Sequence, residues 1–562
     1  MTQQYQIGDY RETYRFFQQT QPERYNWAYE VFDKWADDPN KRAMLWVSNE
    51  GESRDVTYRE FADRSKRVAN ALSDIGATPG DRVMTMLPRV VEWWEIVLGC
   101  IRGQFVSVPG TTLMTPRDIA YRIQAGGITI AITDAENLPK IEAVREQCPD
   151  LRQIIVVGGE NGEHLDYETL VRKASPDLPN PNNLSDDLMM IYFTSGTTGY
   201  PKMVPITHGN YPIGHVATGK FWMDQRPTDL HWTISDTGWA QAAWSCFFAP
   251  WNMGSALFIW DQRGKYQPRS TLEALEKYPI TTFFAPPTAY RMLVLENLKS
   301  FKPKALRHCM GAGEPVNPEV IDAWKGGTGY HIWEAYGQTE TTLCAATFPG
   351  MEHRPGSMGV TAPGYQMAIV DEDGNELPNG AEGEMAIRTN PDRPIGLFPR
   401  YLQNLEANEK CFRGDWYYTG DRATRDKDGY FWFIGRSDDV IISASYRIGP
   451  FEVESALLEH GAVAEAAVIA KPDAARTNIV KAFVVLAPGY EQSTELVTQL
   501  QDHVKVTTAP YKYPREIEFL AELPKTISGK IRRTELRQHE GAASAKSESF
   551  CVGDLDGQSP RF

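Results

Sequence analysis

The sequence predicts an α/β protein of two domains, on three observations. Short apolar runs, RVMTML (82–87), ITIAIT (128–133) and IIVVGG (154–159), alternate with helical stretches, the pattern of largely parallel sheets flanked by helices. At 562 residues the chain is too long for one ordinary core. After Arg436 the pattern changes to a helix at 451–460, strands at 463–470 and 479–487, and a helix near 494–504, which suits a small α+β domain. The expected division is a large domain over 1–436, a small one over 437–540, and a disordered Ala-, Ser-, Gly- and Lys-rich tail over 541–562.

Local signals refine this. Thr57-Tyr58-Arg59-Glu60 reads as a capping box, its hydroxyl and its carboxylate each satisfying a free N–H at a helix start. Phe61, Val68, Leu72 and Ile75 follow at helical spacing, and Gly76 reads as the residue just past the helix end. Thr237 to Trp260 holds no charged residue and is long enough to span a bilayer. Gln241, Ser245, Pro250, Asn252 and Gly254 interrupt it, so a buried helix, a turn and a buried strand are expected, with no membrane span.

Composition narrows the function classes. Apolar residues at 42% and charged residues at 23% are globular values. A net charge of -15 argues against nucleic acid or an anionic membrane as partner. Seven scattered cysteines without a CxxC pair read as reduced thiols, not as disulfides or a zinc site. The first residues lack an apolar core and carry Asp9 and Glu12, so an intracellular, cytoplasmic protein without a signal or transit peptide is expected.

The sharpest chemical signal is the stretch from Tyr192 to Lys202. It packs four hydroxyl side chains and two glycines into Thr194, Ser195, Gly196, Thr197, Thr198 and Gly199, and ends on a lysine. The glycines let the backbone turn and approach a ligand, while amides, hydroxyls and Lys202 offer donors to phosphate oxygens. The spacing is not GxxxxGK[ST], so the generic P-loop fails. A polar surface loop after a strand at 189–193 is the alternative.

This stretch resembles the phosphate loop of the adenylate-forming superfamily, which includes acyl-CoA synthetases, firefly-type luciferases and nonribosomal-peptide adenylation domains. Gly313-Glu314-Pro315, the run Glu334 to Glu340 (EAYGQTE), Tyr418 to Asp421 (YTGD), Gly435 to Asp439 (GRSDD), Tyr446 to Gly449 (YRIG) and Pro524 to Lys530 (PKTISGK) resemble further motifs of that family, in its order. LPRVVEWWEIVLGCIRG (87–103), TISDTGWA (233–240), RIGPFEVESAL (447–457) and TAPYKYPREIEF (508–519) resemble the medium-chain acyl-CoA synthetases. Singly, Glu340, Asp421 and Lys530 read as surface or turn residues; their joint order carries the functional reading.

The resemblance implies a large N-terminal domain of mixed sheets flanked by helices and a small mobile C-terminal α+β domain. It implies an enzyme that joins a carboxylic acid to ATP as an acyl-adenylate and passes the acyl group to coenzyme A, with Mg2+ as cofactor. Adenylate formation needs charge neutralisation and in-line positioning, not a protein nucleophile. By the resemblance, Lys202 and the loop residues Thr194 to Gly199 hold the β and γ phosphates, Glu340 holds Mg2+ and Thr339 meets the α-phosphate. Gly313, Glu314, Pro315, Glu334, Tyr336 and Gly337 belong to the ATP site, with Gly313, Glu314 and Tyr336 around the adenine. Asp421 takes the ribose hydroxyls beside Arg436. Lys530 reaches the carboxylate and α-phosphate oxygens, and Arg447 counts with it and Thr339 as catalytic.

Asp438 corresponds to the hinge, and Ser445 and Tyr446 to the tunnel for the pantetheine arm. Trp239, Gly311 and Gly337 fall where the acyl pocket is, a wide one, with Trp244 and Phe248 reading equally as core. Medium-chain, branched and aromatic acids all fit. The chain departs from the family at Ser445, where relatives carry glycine. Either the tunnel admits the extra hydroxymethyl group, or the adenylate serves another acceptor. Rival readings are a stand-alone enzyme that loads a carrier protein, a luciferase-like oxygenase, and a catalytically silent scaffold. A homodimer is left open.

Overall fold

The computed structural model describes residues 7–159, 161–194, 201–443, 446–473, 476–525 and 531–543, the side chains of 7–9, 447 and 541–543 excepted. The chain packs as two compact units. The first comprises 1–316, 320–366 and 388–415; the second comprises 317–319, 367–387 and 416–562.

The first unit is α/β. Its seven-stranded sheet runs Leu165–Asp166, Gln153–Val157, Ile128–Asp134, Arg82–Met86, Val106–Pro109, Leu188–Thr194, Lys202–Thr207. All neighbours are parallel except the last pair, an antiparallel hairpin. The expected strands at 82–87, 128–133 and 154–159 are three of these. A second run of strands has the order Ser357–Thr361, Leu343–Ala346, Ile332–Gly337, His308–Ala312, Thr282–Ala285, Leu230–Thr233, Ala256–Trp260, Arg42–Val47, Ser53–Thr57. Its middle, from Ile332–Gly337 to Arg42–Val47, is parallel. Helix packing buries both faces, so these strands read as continuous apolar runs.

Helix Tyr58–Asp74 shows how sequence fixes an element. The Glu60 N–H donates to Thr57 Oγ1 at 3.1 Å, the cap the sequence predicts. The other half of the box does not form, because the Glu60 carboxylate instead accepts from Arg54. The helix ends as expected: Gly76 has φ +92°, its N–H donates to Ser73 O at 2.9 Å, and Ala77 N–H donates to Leu72 O at 3.0 Å. That is the Schellman closure, which needs the left-handed conformation glycine adopts without strain.

The uncharged stretch at 237–260 is a helical segment over 240–252 whose middle turn, Trp244–Phe248, is π-helical, then a turn at Gly254 (φ +70°) and the strand Ala256–Trp260. Phe247, Phe248 and Trp251 pack with Trp27, Phe32, Tyr58 and Phe61 into one aromatic core. Among the described residues, no helix is long and apolar enough to cross a membrane.

The second unit is α+β. Strands Met367–Val370, Glu382–Arg388, Trp416–Arg425 and Phe431–Arg436 follow one another across a sheet. A hairpin of Ile441–Ser443 and Tyr446–Ile448 precedes a three-stranded sheet of Val463–Asp473, Thr477–Leu486 and Glu516–Phe519. Helices Pro450–Leu458, Thr494–Thr507 and Arg533–Ala543 complete it. Val453, Leu457, Val468, Val484, Leu500 and Ile517 are among its buried core residues. Helix Arg533–Ala543 ends within the segment where a tail was expected, and 544–562 lie outside the described residues.

Candidate active site

Antiparallel pairing of Leu188–Thr194 with Lys202–Thr207 puts Thr194 directly opposite Lys202, so the two ends of the hydroxyl-rich loop are held together. The loop residues Ser195, Gly196, Thr197, Thr198 and Gly199 lie outside the described residues. Thr194 Oγ1 is buried and has no hydrogen-bond partner among the described residues. Lys202 Nζ stands 4.3 Å from the centre of the Tyr401 ring, and the Tyr401 hydroxyl donates to Glu340 Oε1 at 2.7 Å. One aromatic side chain thus links the lysine to the carboxylate assigned to Mg2+. Backbone bonds set it there: Phe398 N–H to Glu340 O at 2.7 Å, and Leu402 N–H to Met203 O at 3.0 Å.

Glu340 is buried at the end of a turn closed by Gln338 N–H to Thr341 Oγ1 (2.9 Å), with half-buried Thr339 inside it. Strands His308–Ala312 and Ile332–Gly337 are parallel neighbours, with Ala312 opposite Ala335. Gly313, Glu314 and Pro315 therefore leave the sheet at the same carboxyl edge as Tyr336 and Gly337, the edge at which α/β sheets bind ligands. Gly313 has φ +99°, and no atom of the described residues lies within 4 Å of the place a Cβ would take. Glu314 reaches Arg291 at 3.5 Å.

Glu334 is not brought to this edge in the same way. Its side chain is buried, accepts from Gly356 N–H at 3.2 Å and lies 3.9 Å from His353 Nε2. Burial pushes its carboxyl group well above the ordinary range.

The acyl-pocket residues separate. Asp236 accepts from Gly238 N–H (2.8 Å) and Thr111 Oγ1 (3.0 Å), and the turn it makes places half-buried Trp239 at the start of the 240–252 segment. A Cβ at Gly337 would come 2.1 Å from Trp244 Cη2 and 2.6 Å from Thr342 O. The Trp244 indole lies there, its Nε1–H donated to the Tyr211 hydroxyl. Phe248 is core, against Trp27, Phe247 and Tyr211. The direction of Gly311 differs from the one its pocket role assumed. A Cβ there would meet Val316 and Ile332 at 3.1 and 3.0 Å, inside a packed apolar cluster with Tyr290.

In the second unit, Asp421 and Arg436 are cross-strand partners, and Arg436 Nη1 donates to the buried Asp421 Oδ1 at 3.3 Å. Asp438 is half exposed and lies 3.7 Å from Arg436 Nε. Tyr446 is half exposed and stacks on Tyr511, with ring centres 4.2 Å apart. Ser445, Lys530 and the Arg447 side chain lie outside the described residues.

Sequence reasoning missed Tyr401, which belongs to no motif it used. It also missed Cys411, half buried near Lys202 and Glu340, its thiol pushed up to about 11 by burial. Among the described residues, no group of three or more His, Cys, Asp and Glu side chains could hold a metal ion. A single buried carboxylate suits Mg2+ carried on nucleotide phosphates better than a cage built by the protein alone.

A hairpin that sets a lysine beside a buried carboxylate, on a parallel sheet and with a small α+β unit, suits the nucleotide-using α/β enzymes, and the chain belongs to the AMP-binding enzyme family. The profile of the AMP-binding enzyme matches residues 31–402, and that of the AMP-binding enzyme C-terminal domain matches 452–530. Within the family, the chain is 46% identical over 529 residues to the human acyl-coenzyme A synthetase ACSM3, mitochondrial, covering 92% of this chain and 90% of that one. It is 44% identical to human ACSM4, mitochondrial, over the same length and 91% of that protein. In structure it is similar to the anthranilate CoA ligase AuaEII in complex with anthranoyl-AMP, with a TM-score of 0.86, 31% identity, and coverage of 93% of this chain and 99% of that chain. It is also similar to a Burkholderia xenovorans LB400 benzoate CoA ligase, with a TM-score of 0.81, 26% identity, and coverage of 91% and 100%.

Proposed function

We propose that the chain is an AMP-forming acid:CoA ligase. The observation that carries this is the set Thr194, Lys202, Tyr401 and Glu340 at one hairpin, in a chain similar along most of its length to acyl-coenzyme A synthetases. A carboxylate oxygen attacks the α-phosphorus of ATP and pyrophosphate leaves. The thiol of coenzyme A then attacks the acyl carbonyl and AMP leaves. Lys202 and Thr194 bind the outgoing phosphates, Thr339 the α-phosphate, and the Asp421–Arg436 pair the ribose. Glu340 holds Mg2+, which when bound neutralises phosphate charge. Lys530 neutralises the α-phosphate and carboxylate oxygens during the first step, delivered by a small domain that begins at 437 and turns about Asp438. Trp239, Gly337 and Trp244 shape the acyl site.

The acid is a medium-chain, branched or aromatic one. The identity to acyl-coenzyme A synthetases and the structural likeness to aromatic-acid ligases support this range. A pyrophosphate-release screen over such acids, with and without coenzyme A, tests the reading. Acid-dependent release with AMP and acyl-CoA formed in equal amounts is expected; no release with any acid overturns it. A second reading takes a carrier-protein phosphopantetheine as the acceptor. Pyrophosphate release without acyl-CoA would establish that one. A cytoplasmic location, expected from the sequence, differs from the mitochondrial one in the relatives' names, and subcellular fractionation decides between them.

A further inference from the structure

Residues Thr526 to Lys530 lie outside the described residues, but the chain on both sides of them is tied down. Lys525 and Ile531 pair as an antiparallel bridge, and Arg532 N–H donates to Pro524 O at 2.8 Å. Lys525 Nζ lies 2.6 Å from Glu465 on strand Val463–Asp473. The following helix, Arg533–Ala543, carries Arg533 and Arg537 one turn apart on one face. Both reach Asp439: Arg537 by a hydrogen bond to Oδ1, and Arg533 Nη1 at 3.7 Å from Oδ2. Arg533 Nη2 also donates to both Glu454 carboxylate oxygens, at 2.7 and 2.8 Å. Glu454 in turn accepts from Val468 N–H at 2.8 Å. Asp439 is the neighbour of the hinge residue Asp438.

Stability alone is a poor reason for this cluster, since removing such charges from water offsets much of their attraction. What a planar guanidinium on a carboxylate fixes well is direction. We infer that Asp439, Arg533 and Arg537 are positioning residues for Lys530. They lock the stem of the lysine-bearing segment to the residue beside the hinge, so that a turn at Asp438 carries hinge and stem as one rigid piece. The inference rests on the adenylation role proposed for Lys530.

The test uses the full chain with Asp439→Asn, Arg537→Gln, and the exchanged pair Asp439→Arg with Arg537→Asp. Acid-dependent ATP–pyrophosphate exchange, acyl transfer to coenzyme A from supplied acyl-adenylate, and Tm are measured. Each single variant is expected to lose about tenfold or more in exchange kcat with the ATP KM nearly unchanged, a loss confined to the transition state. Transfer and Tm stay near wild type, and the exchanged pair recovers much of the exchange. Equal loss of exchange and transfer, or full exchange in both single variants, overturns the inference. Should a single variant not fold, Arg537→Lys keeps the charge and removes only the planar guanidinium, and undiminished exchange there overturns it as well. Absence of exchange in the wild type with every acid would instead overturn the adenylation reading itself.

Discussion

The two units hold their site residues by different means. In the first, Lys202 and Glu340 are both set by a neutral ring, Tyr401, and the aromatic core of Trp27, Phe32, Tyr58, Phe247, Phe248 and Trp251 packs within the same unit. In the second, ion pairs carry the arrangement: Asp421 with Arg436, Asp439 with Arg537, and Glu454 with Arg533. Buried Lys481 adds contacts to Glu518 at 2.8 Å and to Glu540 on the last helix. Packed rings fix distance through volume and tolerate no added atom. Hydrogen-bonded charge pairs fix direction and fail when one partner is neutralised. The first unit should therefore be vulnerable to changes of size, and the second to changes of charge.

The largest effect is expected on the charge side. Lys530→Ala should lower acid-dependent ATP–pyrophosphate exchange by ~10²–10³, the scale of a lost charge-stabilising donor. Transfer to coenzyme A from supplied acyl-adenylate should be largely spared. Equal loss in the two half-reactions would place Lys530 outside the adenylation step.

Two glycines sharpen the size side. Gly337→Ala and Gly311→Ala each add one carbon to filled space, at a cost of ~1–3 kcal/mol. At 337 the carbon displaces Trp244, so activity should fall first for longer acids in a chain-length series. At 311 it enters the cluster of Val316, Ile332 and Tyr290, so all acids should fall together with Tm. The same chain-length profile in both variants would remove the distinction between them.

The smallest effect concerns Glu334, whose ionised form burial disfavours. Glu334 titrates above the ordinary carboxyl value when folded, because burial disfavours its ionised form. Its contribution to stability is therefore fully present below the unfolded value and is lost as pH rises through the folded one. Glu334→Gln cannot ionise, so the Tm of the variant should gain on that of the wild type by a few degrees as pH rises above the ordinary carboxyl range. A difference that stays flat with pH would mean that the carboxyl group is ionised in the fold.

Much of this was legible because it is local. Period and turn chemistry place the strands at 82–87, 128–133 and 154–159, the Thr57 cap and the Gly76 closure within a few residues of sequence. The Thr115 capping box with Asp118 was equally readable, and the reading passed over it. What stayed hidden depends on direction or distance. Glycine at 311 announces room, but only the strand register shows that the room points into the core. Glu60 looked like half a cap until Arg54, six residues back, competed for it. Tyr401 gains its place beside Glu340, 61 residues away in the chain, through pairing of distant backbone. No local pattern encodes that.

The Tyr401 ring has a consequence for how the site fills. Had Lys202 and Glu340 paired directly, each newcomer would first have to break an internal contact, and anion and cation would be obliged to enter together. The Tyr401 ring and its hydroxyl bridge them instead, with Cys411 near both. Neither the lysine nor the carboxylate therefore has to break a contact with the other before it can meet an incoming ligand.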